Sequence, residues 1–352
     1  MCREKRQVVR SALQEPRFRR YYPASWFSGL GSWMLRFILG WSAWELTMSP
    51  LWVGIVGALM LAPALVLSPY FGVQSDRINP RHGLMASMLI HSLIGLVCAT
   101  MTLLGLFDRF TRLLLATALG SASAIHSPMR LALVPLLVPR AALPSAVGLT
   151  AMSFNIARIL GPALSAALIA RWGVSWAWIA AVGFFVLSGV ILASLQGVGS
   201  RPPRLNKSVN REFIDGLNYV RGSPAVTLIL ISTIVNGLLG HSFIELLPAV
   251  SGRLLLGGAG ELAWLTAAAG VGAVLGGLVM SRQSAHISSL YRLIVTALFV
   301  AALLLATLTW IRELATLALM VGLLSFTTTI AGTGCQALMQ LVIDAQYHGR
   351  RS

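Results

Sequence analysis

Long apolar runs alternate with short polar stretches along nearly the whole chain. The runs fall at about 21–46, 51–71, 83–106, 112–134, 147–170, 176–196, 225–248, 261–281, 289–310 and 313–341. At about 1.5 Å per residue, each can cross a hydrocarbon core roughly 30 Å thick as an α-helix. The pattern predicts an all-α membrane protein with about ten transmembrane helices. Most connecting stretches are short, so successive helices run antiparallel. One longer polar stretch, 197–224, divides six spans from four and reads as a linker, with 212–220 spaced as a short amphipathic surface helix. The expected organisation is a basic tail (1–20), a six-helix bundle (21–196), the linker (197–224), a four-helix part (225–341) and a polar end (342–352).

Composition sharpens this picture. The chain has 352 residues, of which 56% are hydrophobic and 11% charged, where a soluble domain carries about a quarter charged residues. The net charge of +16 would suit nucleic acid if it were gathered in one patch. Instead the cations fill alternate loops. With the N-terminus inside, inner segments hold the basic tail, Arg77, Arg81, Arg130, Arg140, the linker arginines and Lys207, Arg282, Arg292, Arg350 and Arg351. Outer segments hold Arg109, Arg112, Arg171, Arg253 and Arg312. That asymmetry favours a cytoplasmic N-terminus and argues against a nucleic-acid partner. The first span is expected to serve as its own uncleaved signal.

Cys2, Cys98 and Cys335 lack metal-ligand spacing and read as packing residues. No phosphate-binding glycine loop or soluble catalytic constellation is present in the sequence, so no enzyme, cofactor or metal is expected. Several of the tryptophans fall at predicted interfaces, as in an aromatic belt.

Ionisable and polar residues inside apolar spans are costly, and so mark candidate function. Span one carries Ser25, Ser28, Gly29, Ser32 and a mid-span Arg36 at helical spacing; span four carries Ser123, His126, Ser127 and Arg130. Span five carries Asn155, Arg158, Pro162 and Ser165; span ten carries Thr329, Thr333, Gln336 and Gln340. Such stripes suit either helix packing or a water-accessible route between two bundles. Arg36 and Arg158 would make that route cationic and favour an anionic solute, with Asn155, Thr333 and Gln336 along it. Arg130, towards the inner edge, is expected to snorkel to the headgroups. Candidates for carrying a proton are Glu245 with His241 one turn before it, and Glu45 at the outer end of span one. His91 reads as a lone packing histidine. Gly161-Pro162 permits a bend in span five.

Between spans two and three stands Gly72-Val-Gln-Ser-Asp76-Arg77-Ile-Asn-Pro-Arg81. Gly72 would let backbones approach closely at the helix end. The stretch Gly277-Leu-Val-Met-Ser281-Arg282 echoes it 205 residues on. The same offset relates span one to span seven and span four to span ten. It predicts a six-plus-six repeat whose last two helices fall beyond residue 352.

The pattern G-x-x-x-D-R-x-x-x-R resembles the signature loop of the major facilitator superfamily. Asn155-Ile-Ala-Arg158-Ile-Leu-Gly161-Pro162 is similar to the fifth-helix motif of its proton antiporters. Ser127-Pro-Met-Arg130 and Gln340-Leu-Val-Ile-Asp344 match the exporter branch typified by the enterobactin exporter. The resemblance implies a monomeric inner-membrane exporter of a small, siderophore- or drug-like molecule, driven by proton antiport with alternating access. It also makes Gly72, Asp76, Arg77 and Arg81 a conformational latch. Ser32 stands where many relatives carry an acid, and Ser165 where the motif has glycine. The alternatives are a C-terminally truncated, non-transporting remnant and a lipid or lysophospholipid flippase of the same fold.

Overall fold

Local chemistry starts and stops the helices where the apolar pattern changes. Asn79 accepts a hydrogen bond from the Arg81 amide at 3.0 Å, and Pro80 follows in the first helical position. Asp108 caps the next helix by accepting from the Thr111 amide at 2.8 Å. Gly173, at φ +89°, separates two helices with a single residue, a conformation that costs glycine little.

A computed structural model describes residues 11–75, 78–195, 222–254, 259–281, 287–308 and 310–349. Residues 1–10 of the basic tail, Asp76, Arg77 and most of the linker, including its amphipathic stretch, lie outside these, while the rest of the expected tail is described and is already helical from Pro16. The helices are α1 (Pro16–Thr47), α2 (Pro50–Ser75), α3 (Pro80–Leu103), α4 (Arg109–Leu137), α5 (Leu143–Trp172) and α6 (Val174–Ala193). Then come α7 (Pro224–Asn236), α8 (Ser242–Leu254), α9 (Ala259–Ser281), α10 (Ile287–Leu308) and α11 (Leu314–Gly349). A π-helical turn, Gly237–His241, joins α7 to α8, so together they occupy the seventh expected span. There is no strand among the described residues.

Among the described residues, seven helices are long and apolar enough to cross a membrane: α2, α3, α5, α6, α9, α10 and α11. The exceptions have physical reasons. The π turn interrupts the α7–α8 span, while serines, a histidine and arginines dilute the apolar character of α1 and α4. These last two line the cavity described below.

The chain divides into two compact units, one of 1–43 and 55–206, the other of 44–54 and 207–352. The end of α1 and the start of α2 group with the second unit. In the first unit α3 packs against α6 and α4, and Trp178, Tyr21, Phe18, Phe185 and Met34 are among the largest fully buried side chains. A Cβ built on Gly161 would stand 2.7 Å from the Trp33 Cβ, so glycine there lets α5 lie close on α1. In the second unit α11 packs on α9 and α10 around Ile229, Ile294, Ile330, Ala331 and Cys335. A side chain on Gly272 would run into the Gly322 carbonyl, so α9 and α11 meet backbone to backbone.

Candidate functional site

The polar stripe of α1 faces inward within the first unit. Ser28 donates to the Ser25 carbonyl at 3.2 Å and Ser32 to the Ser28 carbonyl at 2.8 Å. Ser123 of α4 donates likewise to the Leu119 carbonyl at 2.9 Å. Each hydroxyl is thus satisfied in its own helix, which lets a polar stripe run through an apolar span. Together the stripes line a cavity of about 240 Å³ whose described lining residues all belong to this unit. Ser25, Ser28, Ser32 and Arg36 come from α1, and Ser123, His126, Ser127 and Arg130 from α4. α2 supplies Ser68, α3 His91 and α5 Phe154.

The cavity's cations rest on aromatic faces. The Arg36 guanidinium stands 5.8 Å from the Trp33 ring centre, and that of Arg130 stands 4.7 Å from Phe154. Trp33 and Phe154 contact each other at 5.7 Å. An unbroken strip, Arg36–Trp33–Phe154–Arg130, therefore runs from α1 across α5 to α4. Among the described residues that line the cavity there is no carboxylate. The Arg130 Nε is buried without a hydrogen-bond acceptor among the described residues. Arg130 is thus turned inward to the cavity rather than snorkelling to headgroups, because the Phe154 ring offers its cation a face at depth.

A histidine pair borders the same space. The His91 Nδ1 lies 2.7 Å from the Ser87 carbonyl, and the Ser87 hydroxyl lies 3.2 Å from the His126 Nδ1. The two imidazoles stand edge to face at 5.6 Å, and Phe185 of α6 stacks on His91 at 4.7 Å. His91 therefore packs as expected, buried against Phe185, but it is not alone. The apolar surroundings of its own helix hid the partner, which comes from α4, 35 residues on.

The other expected site residues lie elsewhere. Arg158 is half-buried and Asn155 exposed on α5, and neither lines this cavity. The Asn155 amide donates to its own helix at the Ala151 carbonyl, 3.0 Å away. Thr333 and Gln336 are exposed on α11, opposite a buried face of Ala331, Cys335 and Leu338. Glu45 is exposed at the end of α1. The side chains of His241 and Glu245 lie outside the described part, as do Asp76 and Arg77 entirely.

Gly72, in the last turn of α2, corrects the expectation of close backbone approach: a Cβ there would meet open space. Arg81 donates to the carbonyls of Leu192 at 3.1 Å and Ala193 at 2.7 Å, a cation closing the C-terminal end of α6. Pro162 lies within α5, where it removes the amide that would bond the Arg158 carbonyl. Beside it, Gly161 serves close packing on Trp33.

The architecture is that of known transporters. The structure is similar to a bacterial homologue of the human lysosomal transporter Spinster in an inward-facing, unoccupied conformation. Their TM-score is 0.68 at 15% identity, covering 92% of this chain and 74% of that one. It is also similar to the nucleoside transporter NupG, with TM-score 0.68, 10% identity, and 92% and 86% coverage. The fold is therefore the one those two structures share, and the family that the sequence matches is of the MFS type. Within that class the chain belongs to the family described as transmembrane secretion effector, which it matches over residues 9–351.

Among curated relatives, the staphyloferrin A transporter of Staphylococcus aureus is 22% identical over 76% of this chain and 67% of its own length. The uncharacterized MFS-type transporter YfiS of Bacillus subtilis is 25% identical over 73% of this chain and 61% of its own. Macrolide efflux protein A of Streptococcus pyogenes is 24% identical over 54% of this chain and 48% of its own. The chain thus spans about half to two thirds of the lengths of these relatives.

Proposed function

We propose that this chain exports a small anionic organic molecule, loaded into the α1–α4 cavity and carried across a bacterial inner membrane by alternating access. The observation that carries this reading is the cavity's charge: Arg130 held on Phe154 with its buried Nε lacking an acceptor among the described residues, and no carboxylate among the described lining residues. Resting on a ring face with that Nε unclaimed among the described residues, Arg130 keeps a donor for a solute. The relation to a secretion effector family and to a macrolide efflux protein supports the outward direction. The volume favours a compact solute, since about 240 Å³ falls below the 300–1,000 Å³ typical of drug-sized pockets. A carboxylate siderophore presenting one arm fits better than a whole macrolide. The alternate-loop cations support a cytoplasmic N-terminus.

Proton antiport is the coupling that the family resemblance brings with it. Glu45, one of the carriers expected for it, is exposed at a helix end and does not line the cavity.

The test is accumulation of a carboxylate siderophore and an anionic dye in an exporter-deleted bacterium expressing all 352 residues. At membrane levels matched by blotting, Arg36→Ala and Arg130→Ala should each reduce export about tenfold or more, as loss of a charge-assisted hydrogen bond implies. Arg158→Ala should reduce it less. Export unchanged in both cavity variants would overturn the reading.

A further inference from the structure

The histidine pair has a hydrogen-bond arrangement that fixes where each proton sits. A backbone carbonyl only accepts, so the contact at 2.7 Å to the Ser87 carbonyl places a proton on the His91 Nδ1. The Ser87 hydroxyl has a different choice. It lies 3.2 Å from the His126 Nδ1 and 3.5 Å from the Ala122 carbonyl. When His126 is neutral, the hydroxyl donates to its Nδ1. When His126 is protonated, Nδ1–H donates to the hydroxyl oxygen, and the hydroxyl proton turns to Ala122. Rotation of one hydroxyl thus accommodates the added proton without breaking the link between Ser87 and His126.

The groups facing His126 set the electrostatic consequence. Arg130 stands one turn along α4, Arg36 comes from α1 and His91 from α3. Tyr21 of α1 is near enough to interact with Arg130. α2, α5 and α6 present Ser68, Phe154 and Phe185, none of which titrates. A proton on His126 therefore joins cations in a space whose described lining has no carboxylate. Nothing in that lining rewards the extra charge except an anion entering from water.

We propose that His126, switched by the Ser87 hydroxyl, is a proton-binding site of the cavity, and that proton and anionic solute bind there cooperatively. This rests on the cavity being the anion site. It gives the coupling the sign of co-transport, opposite to the antiport that the family resemblance implies: an anion draws a proton in with it, and a proton strengthens the hold on the anion. The linkage is reciprocal by thermodynamic necessity. His126 is the binding group and Ser87 a positioning residue.

The experiment uses the full chain in nanodiscs with nitrogen-15-labelled histidine and benzenesulfonate, whose charge is constant between about pH 5 and 8. Benzenesulfonate should bind about tenfold more tightly at pH 5 than at pH 8, one pKa unit of linkage. Its addition should raise the titration midpoint of one imidazole signal, absent in His126→Gln. In that variant the affinities at the two pH values should agree within about twofold, the pKa linkage being gone. Ser87→Ala should move the midpoint of the same signal while both histidines remain.

Binding that needs Arg130 but ignores pH would overturn this inference and leave the transport reading standing. A pH dependence that persists in His126→Gln overturns it too. No binding at either pH, in wild type and Arg130→Ala alike, would overturn the anion reading itself. If His126→Gln does not fold, the wild-type and Ser87→Ala imidazole midpoints decide alone. A midpoint unmoved by benzenesulfonate sinks the proposal.

Discussion

Asp108 shows how a single side chain outside the spans holds the start of a helix. The Thr111 hydroxyl and then its amide hydrogen-bond the carboxylate and hold the carboxyl below the ordinary aspartate value. A lowered value in the folded state means that the charged form stabilises the fold at neutral pH. That contribution fades as pH falls through the folded-state value. Asp108→Ala should lower the unfolding temperature at pH 7, with the gap to wild type shrinking below about pH 4. Asp108→Asn, which keeps the cap without the charge, should fall between the two at pH 7 and approach wild type as pH falls. Thermal unfolding in detergent across this range checks both.

At this scale the sequence was informative about which residues matter and less so about which meet. The α1 stripe through Arg36 and the α4 stripe through Arg130 were visible as helical spacing. Arg158 stood on an equally persuasive stripe, yet α5 turns Phe154 to the cavity instead. Periodicity gives a face relative to its own helix, while the direction of that face depends on packing between helices distant in sequence.

Among elements, the two that fall short on apolar character, α1 and α4, are those that line the cavity. A stripe of serines bonded to their own helices is the mark of a span with water on one side. Seven of the ten expected spans are helices long and apolar enough to cross a membrane among the described residues, and were legible because length and hydropathy are properties of the local chain. The π turn at Gly237–His241 was not, because an extra residue in a helical turn leaves hydropathy unchanged. Gly240 there lies against Thr328, with only 2.8 Å from a built Cβ to the threonine Cβ.

Two glycines from the recognisable motifs separate in the same way. Gly161→Ala should destabilise by about 1–3 kcal/mol through overpacking against Trp33. Gly72→Ala should instead stabilise by about 0.5–1 kcal/mol, as alanine does in an uncrowded helix. Unfolding temperatures of the two variants, moving in opposite directions, check this pair.

For the whole molecule, two units divide the chain and the site described lies within the first. The fold was legible from the number of spans and the signature loop. The site's chemistry emerged only when α1, α3, α4 and α5 came together. The strip from Arg36 to Arg130 has a consequence for energy as well as recognition. With its cations fixed on rings, the electrical load of each crossing depends on the solute and on His126. An anion moving alone gains about 2.3 kcal/mol per charge for every 100 mV of inside-negative potential. An anion moving with its proton crosses as a neutral pair and gains nothing from the field. In reconstituted vesicles, outward flux of a singly charged anion should therefore rise with potential at alkaline pH and lose that voltage dependence in acid. A variant lacking the imidazole should remain electrogenic at both.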